Sequence, residues 1–315
     1  MTDRALIAVV GPTATGKSAL GVHLARALDG EIVSCDSTAV YRGVDIGTDK
    51  PPAADRAGIT HHLIDVAGPT EIYSAARYAA DAGAAIAGIT GRGKLPILVG
   101  GSGFYYRALV RGLFPGPARD EPLRARLDRV ATKRGVEALH RWLGRVDPAS
   151  AQRIQPRDRK RLVRALEVYL LTGQPLTSHF DATASPIAGF RVLPLGVALP
   201  RPELRARVAR RVDAQFDRGV VAEVQGLLAR GVPASAHALS GLVYRQVVEL
   251  LHGVRDEVST RELIVRENMR YARRQLIWFR KEAGIKWLQG AGETEPARTQ
   301  AVSLARAFVN LRSAI

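Results

Sequence analysis

The residues Gly11, Pro12, Thr13, Ala14, Thr15, Gly16, Lys17 and Ser18 have the spacing G-x-x-x-x-G-K-[ST], a pattern that cradles phosphate. Gly11 and Gly16 let successive backbone N–H groups point into one concavity, and a helix opening behind the loop adds partial positive charge there. Lys17 brings a full charge to the outer phosphates, and the Ser18 hydroxyl can ligate Mg²⁺. Two further groups have the right chemistry. Asp36 closes the apolar run 31–35, where a carboxylate can hold a metal, take a proton from a substrate, or simply cap a turn. Ser102 lies in Gly100-Gly101-Ser102-Gly103 and can offer a hydroxyl to whatever the first loop holds, although a plain tight turn explains those glycines equally well.

The elements that must position these groups alternate between strand and helix. An apolar strand over 5–10 precedes the loop, and a helix over 19–28 follows it and ends at Gly30. Further strands read at Glu31–Cys35, His61–Asp65, Leu95–Val99 and Val192–Leu199, with a helix over 71–92 and another from Phe104 to Val110. The stretch 40–51 reads as an ordered loop. In a parallel sheet the carboxyl ends of strands carry the ligand site, which puts Asp36 beside the phosphate loop if its strand neighbours the first. His61 and His62 point to opposite faces of a strand and make a poor joint metal site.

The chain has 315 residues, of which 46% are hydrophobic, enough for a substantial core. Its net charge is +16, which suggests a polyanionic partner. The charge is concentrated: Arg119–Arg164 holds 14 Lys or Arg against 6 Asp or Glu, half of the excess. That segment reads as short helices. In the last of them Leu162, Val163, Leu166, Tyr169 and Leu170 form one apolar face, ending at Thr172-Gly173, with cations on the outer face near its start. Cations there oppose the helix dipole, so a nucleic-acid backbone explains them better than stability does. The domains expected are a P-loop core over 1–118 and 191–315, and a helical, basic, nucleic-acid-binding insertion over 119–190, the segment to which the resemblance given below assigns tRNA. The fold class expected is α/β, a P-loop NTPase-like parallel sheet flanked by helices with an all-helical insertion.

Pro202–Arg230 reads as one long helix with Leu204, Val208, Val212, Phe216, Val220, Val224 and Leu227 inside. Thr260–Lys281 reads as a second, with Arg266, Arg270, Arg273 and Arg274 on one side and Tyr271, Trp278 and Phe279 interleaved, a mixture suited to single-stranded nucleic acid. A last helix beyond Ala291 packs Val302, Leu304, Phe308 and Leu311. The one cysteine, Cys35, excludes an intrachain disulfide and a cysteine zinc site, and suits a reducing cytoplasm. No signal-peptide layout follows Met1 and no apolar run approaches the ~20 residues of a membrane span, so no membrane association is expected. Nothing demands more than a monomer. The strand 96–99 ends in glycine rather than a metal-holding acid, so ordinary ATP hydrolysis is poorly supported. A transferase with a diphosphate leaving group acting on nucleic acid fits better than a small-molecule kinase or a nonenzymatic RNA-binding module.

In chain order come Gly11–Ser18, Ser34-Cys35-Asp36-Ser37, Tyr41-Arg42, Asp45-Ile46-Gly47-Thr48 and His61–Asp65. Glu71 with Tyr73-Ser74, Ile97–Gly103, Arg164–Tyr169 with Thr172-Gly173, and Arg270–Arg280 follow. Together these segments resemble the bacterial type of the tRNA dimethylallyltransferase (tRNA isopentenyltransferase) family over nearly the whole chain. The resemblance implies transfer of a five-carbon group from dimethylallyl diphosphate to the exocyclic amine of adenosine 37, beside the anticodon in the tRNA anticodon stem-loop. It implies Asp36 as general base, Lys17, Ser18, Ser102 and Arg211 on the diphosphate, and Mg²⁺ shared by Ser18. It assigns tRNA contacts to Asp36, Ser37, Thr38, Ala39, Ser102, Arg124, Lys160, Arg161, Leu162, Val163, Arg164, Tyr244 and Arg245. Three positions depart from the family: Ser102 replaces a usual Thr, Thr38-Ala39 replaces a frequent Met-Gln, and Val243 replaces a glycine.

Overall fold

The computed structural model describes residues 4–310. The chain runs through β1 (Arg4–Val10), α1 (Lys17–Ala27), β2 (Gly30–Ser34), α2 (Ala53–Arg56), β3 (His61–His62), α3 (Ala75–Gly91), β4 (Leu95–Gly100) and α4 (Gly103–Arg111). It continues with α5 (Glu121–Arg134), α6 (Val136–Val146), α7 (Pro148–Arg153), α8 (Arg159–Thr172), β5 (Phe190–Gly196), α9 (Arg201–Asp217) and α10 (Val220–Ala229). Then come α11 (Tyr244–Leu251), α12 (Glu257–Arg280), β6 (Lys286–Trp287) and α13 (Glu295–Asn310). Residues 4–110 and 186–310 form one compact unit and residues 111–185 a second.

The first unit is built on a six-stranded sheet in the order β3-β2-β4-β1-β5-β6, parallel throughout. β1 and β4 are apolar over nearly their whole length because helices cover both sheet faces. One face carries Leu6, Ala8, Val10 and Val33 under α3, in an apolar cluster that extends to residues of α10 and α11. The other carries Ile7, Val9, Ile32 and Leu195 under α1 and α13. The second unit packs α5 to α8 around Leu127, Leu139, Leu143, Leu162 and Leu166. Three of its helices start on side-chain caps: Asp120, Asp147 and Asp158 accept from the backbone N–H of Leu123, Ser150 and Arg161. Gly173, at φ 71°, terminates α8 as the sequence reading requires.

The parallel sheet flanked by helices is the fold class read from the sequence, but several elements differ in detail. The 202–230 helix is two, because Gly219 at φ 89° breaks it between α9 and α10, although every apolar position named for it is buried. β3 stops at His62 because Leu63 and Asp65 adopt φ 62° and 58°. β6 has two residues and no alternating pattern to reveal it. The insertion begins at Arg111 and ends at Ser185, rather than at 119 and 190, because Leu113 bridges Ala184 and Phe190 already belongs to β5. Leu170 is 41% exposed and not part of the buried face of α8. Leu311 lies outside the described residues.

β2 does not neighbour β1, since β4 lies between them. The two ends still meet because β4 finishes in Gly100-Gly101. A Cβ on Gly100 would stand 2.1 Å from the Cys35 carbonyl oxygen, and one on Gly101 would collide with Gln275 and approach the Gly11 oxygen. The glycines of the second loop are there for close approach of the backbone, not only for a turn.

Candidate active site

A cavity of about 500 Å³ opens at the carboxyl ends of β1, β4 and β2. It is lined by the loop residues Thr13 to Ser18, by Asp36 to Ala39, by Gly100-Gly101, and by Arg211 and Tyr271. The phosphate loop is shaped from inside and outside. Gly11 has φ 139°, and a side chain there would strike the Val197 carbonyl. Thr15 is buried and its hydroxyl donates to the Pro12 oxygen at 2.9 Å. Gly16, at φ 86°, caps α1, so the free N–H groups of the helix start face the loop. Ala14 sits at φ 60°, and Pro12 is buried beneath the loop.

Lys17 begins α1 and donates its ammonium to the Pro12 oxygen. Burial lowers its pKa to about 8, with Arg211 acting in the same sense and Asp36 opposing them. Arg211 projects from α9 and donates to the Thr13 hydroxyl at 2.7 Å. Ser18 is exposed at the first turn of α1 and makes no hydrogen bond through its side chain among the described residues. It is available to an ion.

The carboxylate of Asp36 is both a turn cap and a free acceptor. Oδ1 accepts from the Thr38 amide at 2.8 Å, the Thr38 hydroxyl at 2.6 Å and the Ala39 amide at 3.3 Å. Oδ2 has no hydrogen-bond partner among the described residues, and the side chain lines the cavity. Thr38, where the family often has Met, therefore anchors the acid. Ser102, 8% exposed, takes the Ser37 amide on its hydroxyl at 3.0 Å and sits within 3.3 Å of the Ser37 hydroxyl. It fixes the loop that carries Asp36. Tyr271 lines the same cavity, and burial pushes its hydroxyl up to about 12, so it stays protonated at neutral pH. Cys35 is buried, its thiol pushed up to about 12 by burial, and is no nucleophile at neutral pH.

Three participants escaped the sequence reading. Gln275, buried on α12, accepts from the Thr13 amide at 2.9 Å and donates to the Gly101 oxygen at 2.9 Å, tying the two glycine loops together. Asn268 reaches the same cavity from the same helix. Both stand in a buried stripe with Ile264, Ala272 and Phe279, and a polar amide inside an apolar helical stripe was the signal that could have found them. The third is Asp49, which pairs with Arg211 at 3.3 Å.

The remaining sequence-named residues divide sharply. Tyr244 is interior: its hydroxyl donates to Glu223 at 2.5 Å and accepts from the Gly47 amide at 3.0 Å, clamping the loop before Asp49. Arg245 is exposed and paired with Glu267. Val243 keeps a glycine-like backbone, φ 74° and ψ −60°, at a strained position for a β-branched residue, with its side chain buried. Phe279 is core, and Trp278 packs under Arg107, so neither offers an open face to a base. Arg266, Arg270 and Arg273 are exposed and make no ion pair among the described residues.

In the second unit Leu162 and Val163 are core and not available to a polyanion. Arg124 and Arg164 converge on the buried Glu167, which also accepts from the Asp120 amide at 2.9 Å. Burial alone would raise the Glu167 carboxyl, but these hydrogen bonds carry it down to about 2. Lys160 is exposed and unpaired among the described residues, and the exposed Arg161 lies 3.3 Å from Asp158.

A parallel sheet flanked by helices, with a glycine loop and a fixed carboxylate lining one cavity at its strand ends, defines a protein of the α/β class. The family described as IPP transferase matches residues 39–282, and the chain belongs to that family. It is 44% identical over 284 residues to the tRNA dimethylallyltransferase of Geobacter sulfurreducens, covering 90% of this chain and 91% of that one. The crystal structure of the full-length tRNA isopentenylpyrophosphate transferase from Bacillus halodurans is 35% identical, with a TM-score of 0.71 over 98% of this chain and 96% of that one. A eukaryotic dimethylallyltransferase, solved in crystallographic snapshots of its action on tRNA, aligns with a TM-score of 0.82 at 25% identity, over 98% of this chain and 80% of that one.

Proposed function

We propose that this chain transfers the dimethylallyl group of dimethylallyl diphosphate to the exocyclic amine of adenosine 37 of tRNA, releasing diphosphate. The observation that carries the reading is the geometry of Asp36: one oxygen held by three donors, the other free in the cavity that the phosphate loop, Lys17 and Arg211 also line. The amine nitrogen bonds to the allylic carbon as the carbon–oxygen bond to diphosphate breaks. The bonding electrons leave with diphosphate, and the amine proton goes to Oδ2 of Asp36. An aryl amine is a weak nucleophile, so a fixed acceptor for its proton helps. Lys17, Arg211, the Ser102 hydroxyl and the loop amides meet the negative charge that develops on the leaving group.

No cluster of three carboxylate, histidine or cysteine groups exists among the described residues. That suits Mg²⁺ carried in on the diphosphate, which keeps several waters and takes few protein ligands. The exposed Ser18 hydroxyl is the group that would hold it, and the ion would offset charge on the phosphates. The adenine has to leave the anticodon stack to reach the cavity. The exposed cations Lys160, Arg161 and the α12 arginines supply phosphate contacts to the anticodon stem-loop, with Arg124 and Arg164 held ready by Glu167. No helix of the described residues is long and apolar enough to cross a membrane. We read the protein as a monomer of the cytoplasm.

The test is labelled dimethylallyl diphosphate with Mg²⁺ and unmodified tRNA, in parallel with AMP as acceptor. Label should enter tRNA and not AMP. Asp36→Asn should lower turnover by about 1,000-fold while tRNA affinity stays within about twofold. Retained turnover in Asp36→Asn would remove the base from its role, and label in AMP would move the substrate from tRNA to a free nucleotide.

A further inference from the structure

Behind the phosphate loop lies a second hollow of about 530 Å³. Arg207, Arg210 and Arg211 of α9 and Arg218 at its end converge on it, and Ala14, Gly16 and Asp49 close the other side. Ala14, Gly16, Asp49 and Arg211 line both hollows, so the two share a wall in which Arg211 stands. Positions 207, 211 and 218 fall on one face of α9, along the flank of the buried stripe of Leu204, Val208, Val212 and Phe216. Like charges three and four residues apart destabilise a helix, so the row is not there for the helix's sake.

The counter-charges are too few. Arg207 is tied to Glu293 and to Glu203. Asp49 alone serves two guanidinium groups, Arg211 at 3.3 Å and Arg218 at 2.9 Å. Arg210 is exposed and has no ion pair or hydrogen bond through its side chain among the described residues. Asp49 itself sits at φ 57°, on a loop whose amides are gripped by Glu223 and Tyr244.

We propose that this hollow is a diphosphate antechamber: a second anion site in which Arg210 and Arg218 hold the phosphates while Arg211, bonded both to Asp49 and to Thr13 of the cradle, stands between the two sites. Guanidinium forks bind phosphate oxygens in pairs, and a doubly charged phosphate competes well with one carboxylate for them. Asp49 is the exchangeable counter-ion. It keeps Arg211 oriented between visits and weakens the grip on an anion that must move on. The same chemistry serves the donor on its way in and inorganic diphosphate on its way out. The proposal rests on the loop being the diphosphate cradle, and the test separates the two.

Inorganic diphosphate is titrated into the full-length protein by calorimetry, beside Lys17→Ala, the double variant Arg210→Gln/Arg218→Gln, and Asp49→Asn. The wild type should show two binding events. Lys17→Ala should lose the tighter one, and the double variant should keep it while weakening the other at least tenfold. Asp49→Asn should tighten the weaker event several-fold, a change that no misfolded variant produces. If Lys17→Ala leaves both events intact while the double variant removes one, the loop reading fails and the antechamber stands. A single event, abolished by Lys17→Ala and untouched by the double variant, overturns the antechamber. Steady-state rates then assign the traffic. A tenfold fall in kcat/KM for the donor at constant kcat marks the inward route, and a changed kcat with a weakened inhibition by diphosphate marks the outward one. Neither change, with two-site binding absent, overturns the proposal again.

Discussion

Replacing Glu167 by Gln should loosen the helical unit without emptying its core. The carboxylate is fully buried, takes two hydrogen bonds from Arg124 at 2.7 and 2.8 Å and one from Arg164 at 2.6 Å, and titrates at about 2 instead of the ordinary 4.5. A shift of that size corresponds to about 3 kcal/mol in favour of the folded state at neutral pH. Breaking a buried ion pair from one side costs roughly 3–5 kcal/mol, an independent route to the same magnitude. The folded carboxyl is depressed, so its contribution is present above about pH 4.5 and is lost as the pH falls toward about 2. Hydrogen exchange followed by mass spectrometry reads the effect locally. The amides of α8 should lose about 100-fold in protection in Glu167→Gln, and protection of β1 should hardly change. In the wild type that protection should decline between about pH 4.5 and 2, after correction for intrinsic exchange, and the decline should be absent from the variant. Protection of α8 within fivefold of wild type, or the same acid dependence in both proteins, would refute the view that Glu167 anchors the two arginines.

Three further outcomes follow from the same geometry. Lys17 loses its charge as pH rises through about 8, so kcat/KM for dimethylallyl diphosphate should fall about tenfold per pH unit above that point, and Lys17→Arg should move the fall beyond pH 9. Thr38→Val removes the 2.6 Å hydroxyl bond to Asp36 and should lower kcat about tenfold with the donor KM unchanged, which pH-independent steady-state rates would check. Gln275→Leu leaves the Thr13 amide and the Gly101 carbonyl unpaired at about 1–3 kcal/mol each, and should raise the donor KM at least tenfold, while diphosphate affinity equal to wild type in calorimetry would dismiss the bridge.

The strand–loop–helix turn at Gly11–Ser18 was legible because spacing and residue type specify it locally, and the rule that ligands sit at strand ends led to Asp36, which lines the cavity, and to Ser102, which instead holds the loop that carries Asp36. The strand order was not legible, because pairing is a long-range choice: the sequence left open whether β2 neighbours β1, and β4 lies between them. Gly219 was overlooked because the apolar period runs unbroken across it, from Phe216 to Val220 and Val224. Leu162 and Val163 were named as tRNA contacts through their neighbours Lys160, Arg161 and Arg164, whereas alternation around a helix turns them to the core. Asp49 was invisible as a partner, since the arginines it holds are many residues away in sequence, and Glu167 could be matched locally only with Arg164, three residues before it, not with the distant Arg124. Composition found the cations and could not say which were already neutralised.

Helix α12 is one rod of 24 residues, about 36 Å long. Near one end Asp256 caps it, and Arg261 links Glu257 on the same helix to Asp213 on α9. Some 28 Å along, Gln275 holds the phosphate loop. A tilt of about 5° pivoting at Asp256 would displace Gln275 by roughly 2.5 Å, enough to part it from Thr13. The placement of the cradle is thus governed by leverage. Residues such as Asp256 and Arg261, which line none of the cavity, set the aim of the helix, and changes made there will be felt at the Thr13 amide.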